Sequence, residues 1–110
     1  MAFDQALADR IREGFLTTTG ISEKKMFGGI VFLLNGNICV GVWHDALIVR
    51  MGRSEAEAAL YEPHVREFDV TGRPMAGWIL VDPPGIENDR DLAEWLYRAC
   101  DFVKTLPAKA

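Results

Sequence analysis

At the start of the chain Phe3, Leu7, Ile11 and Phe15 recur at every fourth position, with charged residues between them. That spacing puts the four on one side of a helix. Asp4 stands where an N-terminal cap or first-turn acid belongs, and Thr17–Gly20 ends the pattern. The period then changes. The stretch "MFGGIVFLLNGNICVGVWHDALIVRMG", from Met26 to Gly52, is a run of apolar residues broken at Asn35-Gly36 and His44-Asp45. Asn-Gly between apolar runs suits a type I′ hairpin, which needs positive φ at both central residues. With His44-Asp45 as a second two-residue turn, the segment reads as a three-strand meander. Leu33 then opposes Ile38, Val31 opposes Val40, Val42 opposes Leu47 and Val40 opposes Val49. One face collects Val31, Leu33, Ile38, Val40, Val42, Leu47, Val49 and Met51, all apolar, and is expected to lie under helices. The other carries Ile30, Phe32, Cys39, Gly41, Trp43, Ile48 and Arg50, which is apolar but mixed.

Beyond the meander, "SEAE" at Ser54–Glu57 has the form of a capping box, and Pro63 ends the short helix it opens. Val65–Val70 and Trp78–Val81 read as two further strands, and "DPPGIEND" as a loop. A last helix, capped by Asn88 or Asp89 and ended by Pro107, carries a wide apolar stripe of Leu92, Trp95, Leu96, Ala99, Phe102, Val103 and Leu106. The order predicts an α+β fold: an antiparallel sheet of about five strands, a three-strand meander plus a hairpin, with helices packed mainly on one face. At 110 residues, with no linker or repeat, the chain is one domain.

Composition narrows the class. Hydrophobic residues at 49% and charged ones at 25% are ordinary for a globular domain and exclude disorder. The two cysteines, Cys39 and Cys100, are far apart and in no ligand spacing, which suits a reducing compartment. With charges every few residues at the start and no apolar span, the expected location is the cytoplasm, with no membrane partner. The net charge is −4 and no segment is basic, so any cationic patch has to be assembled by folding.

Little in the chain announces chemistry. His44 and His64 have no cysteine or carboxylate at metal-ligand spacing, and Ser22 and Ser54 sit in no nucleophile setting. "MFGG" lacks the Lys-Ser/Thr of a phosphate loop and leads into a strand. No catalytic residue, metal site or cofactor is therefore expected. Two places remain as binding candidates. One is the turn at Arg50–Arg53, where a helix N-terminus flanked by arginines suits an anion unless the capping box uses its amides. The other is the mixed sheet face, where exposed aromatics beside an arginine would mark an interface unless the final helix or the 65–81 hairpin covers them.

"FDVTGRPMAGW", Phe68 to Trp78, is a third unusual stretch. Gly72 permits a positive φ, and Pro74 stiffens the tip and holds Arg73 extended, while Met75 and Trp78 return to the sheet. Such a tip is either a structural turn with an incidental arginine or part of a binding surface.

"KKMFGGIVFLLNGNICVGV", "LIVRMG" and "FDVTGRPMAGWILVDP", with the tail "DLAEWLYRACDF", resemble the TfoX/Sxy N-terminal domain family over roughly Phe3 to Pro107. The resemblance implies an α+β domain known from regulators of bacterial natural competence, where a helical C-terminal domain follows it. This chain is expected to be a short stand-alone member. The family offers no catalytic residues to carry over, so the resemblance implies a regulatory or binding role. The leading expectation is a non-catalytic module that binds protein in a transcription or competence-type setting. Its candidate binding residues are Lys24, Lys25, Phe27, Trp43, Arg50, Arg53, Arg73, Met75 and Trp78. The alternatives are a nucleic-acid-binding module using the Lys and Arg residues among these, or a domain for a small molecule or anion. A homodimer through the Phe32/Trp43 face is also expected if that face is uncovered, with Trp43 as its anchor and Arg50 at its rim.

Overall fold

The four-residue apolar spacing becomes helix α1, Gln5–Gly14, in the computed structural model, which describes residues 3–109. Asp4 caps it, its side chain accepting from the amide of Leu7 at 3.1 Å, and Leu7, Ala8 and Ile11 are buried. Strands β1 (Ile21–Met26), β2 (Gly29–Leu34), β3 (Asn37–Trp43) and β4 (Ala46–Arg50) follow, then α2 (Arg53–Ala59), β5 (Val65–Glu67), β6 (Trp78–Val81) and α3 (Asp89–Val103). The sheet has six strands in the order β1-β2-β3-β4-β6-β5, and every neighbouring pair is antiparallel. This is the expected α+β architecture, with the helices on one face.

Strand β1, "ISEKKM", is the addition. Its interior residues are exposed, so no alternation of buried and polar positions marks it in the sequence. The turn joining it to β2 is Phe27-Gly28, with φ of 60° and 75°, the same positive pair as Asn35-Gly36 at 53° and 85°. Charged β1 and three-residue β5 form the sheet's two edges. Charge and shortness both discourage pairing with another chain.

The register is as expected for Leu33↔Ile38, Val42↔Leu47 and Val40↔Val49. It is not for Val31 and Val40: Phe32 opposes Val40, Val31 opposes Gly41, and the ladder shifts at Phe32/Leu33. Cys39 is the extra residue of a β-bulge, and a bulge puts the alternation on its two sides out of phase. The β2 residues therefore exchange faces. Ile30, Phe32 and Leu34 join Cys39, Val40, Val42, Leu47, Val49 and Met51 in the core beneath the helices. Val31, with Leu33 and Ile38 around it, belongs to the opposite face.

The capping box of α2 does not form. Gly52, with φ of 86°, is the N-cap and no side chain caps the helix. The helix begins at Arg53, so Ser54 already lies inside its first turn, and Glu57 approaches Arg53 at 3.7 Å. Asn88 does cap α3, accepting from the amide of Asp91 at 2.8 Å. The stripe of Leu92, Trp95, Leu96, Ala99 and Val103 is buried against the sheet. Past α3 the chain returns to the β2–β3 turn, where the Lys109 amide donates to the Asn35 carbonyl at 2.7 Å.

Candidate functional site

The face of the sheet away from the helices is closed by the chain's own loop. Strand β5 stops at Glu67, and the segment from Phe68 crosses that face before β6 begins at Trp78. Phe68 is sunk fully into a second core with Val31, Ala46, Ile48 and Leu80. Its ring stacks on Trp78 at 5.6 Å between centroids and meets Phe27 edge-on at 5.3 Å. Phe27, from the β1–β2 turn, also meets Trp78 at 6.4 Å. Backbone hydrogen bonds hold the loop: Gly72 to Asp69 at 2.9 Å, Met75 to Phe68 at 3.0 Å, and Met51 to Gly77 at 3.0 Å.

This loop overturns the uncovered face. Trp43 and Ile48 belong to the side under the loop, whereas Ile30 and Phe32 lie on the helix side. Phe32 is fully buried, and the Arg12 guanidinium sits 5.9 Å above its ring. Phe32 and Trp43 therefore share no face, and the surface drawn for a Phe32/Trp43 dimer is not present on the molecule. The cause is again the bulge at Cys39.

Of the nine candidate residues, Phe27, Trp43, Met75 and Trp78 meet around the second core. Arg50 reaches the same cluster. Its guanidinium lies 5.2 Å from the Trp78 ring and 5.9 Å from that of Phe102, and it donates to the Ile38 carbonyl at 3.4 Å. Arg66 from β5 covers Trp43 at 5.8 Å and pairs with Asp82 at 3.0 Å. Lys24 and Lys25 are both exposed on β1. Being adjacent in a strand they point to opposite faces: Lys24 pairs in register with Val31 of the second face and Lys25 with Ile30 of the helix face. Arg53 is exposed beside Glu57 on the far side of Gly52. Arg73 stands exposed at the loop tip. The five cations thus do not converge on one patch.

No helix among the described residues is long and apolar enough to cross a membrane. Among the described residues no group of three or more His, Cys, Asp or Glu side chains is placed to hold a metal. The grooves are open ones between elements, such as that between Phe15 after α1 and Tyr97 on α3, of about 440 Å³.

Two features escape a linear reading. Arg66 has no motif around it. Cys39 and Cys100, separated by 61 positions, lie with their sulfurs 3.6 Å apart. The only signal available for that pair was that the chain has two cysteines and both fall in apolar patterns.

A family model described as the TfoX N-terminal domain matches residues 13–103. No curated protein and no solved structure matches.

Proposed function

The chain belongs to the TfoX N-terminal domain family, and from that membership we propose that it is a non-catalytic module that binds a protein in bacterial regulation of the transcription or competence type. The observation that supports this reading is the construction of the 68–78 loop. Phe68 is buried at its base with Val70, Met75 and Trp78 packed partly buried against the same core, its backbone is bonded at both ends, and Arg73 is left exposed at the tip. A guanidinium on an anchored loop loses less freedom on binding than one on a mobile chain. Lys24 adds a cation on the same side of the sheet. The partner this surface suits is an acidic segment of another protein.

The test is capture of a partner from extract on the immobilised chain. Arg73→Glu should cut recovery of that partner about tenfold, the scale of one lost charge-assisted contact. Arg90→Glu, on the exposed start of α3, should leave it unchanged. Equal recovery with Arg73→Glu and the wild type would overturn the reading. Titration with labelled duplex DNA at low salt should show negligible binding, because net charge is −4 and the cations are dispersed. Tight binding with a steep salt slope would favour nucleic acid instead.

A further inference from the structure

The bulge that displaces the register of β2 also re-aims one side chain. Cys39 turns from the second face to the helix side, where its sulfur lies 3.6 Å from that of Cys100 on α3. The two thiols are in van der Waals contact, so a bond between them has only the gap from 3.6 Å to a disulfide's length of about 2.05 Å to close. Their surroundings differ. Cys39 is fully buried. Cys100 is half-buried and lines the groove between the end of α1 and α3, beside Phe15, Leu34, Tyr97 and Lys104. No third ligand joins them among the described residues.

We propose that Cys39 and Cys100 form a peroxide-responsive dithiol that closes reversibly into an intramolecular disulfide, tying β3 to α3. The half-buried Cys100 thiolate, on the groove, attacks one oxygen of a hydroperoxide. An S–O bond forms, the O–O bond breaks, and hydroxide (or alkoxide) leaves. Cys39 then attacks the sulfur of the resulting sulfenic acid. The S–S bond forms as the S–O bond breaks, and the departing hydroxide takes up the Cys39 proton as water. Both cysteines are oxidised by one electron and the peroxide is reduced by two. An external dithiol reverses the step by exchange and leaves as its own disulfide.

The order of attack follows from the environments. The hydrogen bond shared with Cys39 and the charge of Lys104 hold the Cys100 thiol below its ordinary range, against the opposing effect of burial. The hydrogen bond to Cys100, reinforced by burial, pushes the Cys39 thiol up. The lower thiol is the more ionised and the more accessible, and reactivity follows thiolate character and exposure.

The experiment treats the full chain with stoichiometric hydrogen peroxide and reads its intact mass. The expected result is loss of two hydrogen masses, a Cys39–Cys100 cross-linked peptide in the digest, monomer on a non-reducing gel, and full reversal by dithiothreitol. The oxidised chain should also unfold at a higher temperature than the reduced one. Addition of oxygen without a cross-link, or a cross-link between chains, would overturn the proposal. Before oxidation, iodoacetamide should label Cys100 at least about tenfold faster than Cys39. In Cys39→Ser, a dimedone probe should trap the Cys100 sulfenic acid that the wild type resolves. Equal labelling of the two wild-type cysteines would overturn the assigned order whether or not the variant folds.

Discussion

Arg50 ends strand β4 with its guanidinium between the rings of Trp78 and Phe102, so one residue joins the loop-covered face to the C-terminal part of α3. It contributes through stacking and the packing of its stem as much as through charge. Arg50→Ala is expected to lower unfolding free energy by about 1–2 kcal/mol in urea. Arg50→Lys should recover only part of the loss, because an ammonium does not stack as a planar guanidinium does. On α1, Arg12 donates to both oxygens of Glu23 at 2.8 Å and to Asp9 at 2.6 Å, joining the helix to edge strand β1. The hydrogen bonds from Arg12 hold the Glu23 carboxyl below its ordinary 4.5, against a smaller effect of burial. A depressed carboxyl stabilises the fold above its unfolded value and loses that contribution as pH falls through the folded one. Glu23→Gln should therefore reduce stability near neutrality and flatten its fall below about pH 4.5. Both side chains are more than a third exposed, so the effect at neutral pH should stay under about 1 kcal/mol in denaturant titration.

At the scale of elements, the two helix starts make opposite predictions. The α2 helix has no side-chain cap and Ser54 lies inside its first turn, so Ser54→Ala should change stability by less than about 0.5 kcal/mol. Asn88 accepts from the Asp91 amide, so Asn88→Ala should cost about 1 kcal/mol. Thermal unfolding of the two variants side by side checks both. A large loss at Ser54 would restore the capping box that "SEAE" suggests. The pattern misleads there because Gly52 takes a left-handed conformation and starts the helix early. Strand β1 is the converse case. Its exposed run of Ser22, Glu23, Lys24 and Lys25 has no strand signature, and it is a strand because β2 offers it a ladder.

The whole molecule is a single sheet with a core on each side, one under the helices and one under the 68–78 loop. Because the strands are shared, the cores should unfold together. Phe68→Ala, which empties the centre of the second core, should cost about 3–5 kcal/mol. It should shift circular dichroism and tryptophan fluorescence in one common transition, and separate transitions would show that the loop-covered side melts alone. With the second face covered by the chain's own residues, light scattering at high micromolar concentration should give the mass of one chain, and Trp43→Ala should leave that mass unchanged.

What the sequence determined by itself was whatever depends on near neighbours. The apolar periods of α1 and α3, the Asp4 and Asn88 caps, and the Asn35-Gly36 turn follow from spacing and allowed φ within a few residues. The family motifs were legible for the same reason, and so was the positive φ at Gly72 beside Arg73. The strand expected to run from Val65 to Val70, however, stops at Glu67, where the chain leaves the ladder to cross the second face. Only the tertiary structure decided which side of the sheet each β2 residue faces, since one extra residue at Cys39 reverses the alternation and nothing local announces it. It also decided that β1 pairs, that Phe68 covers the second face, that Arg50 lies between two rings, and that Cys39 meets Cys100 across 61 positions. Each of these is a contact between segments distant in the chain. Such contacts are settled by competition among all the surfaces the fold brings together, a quantity that no short window of sequence contains.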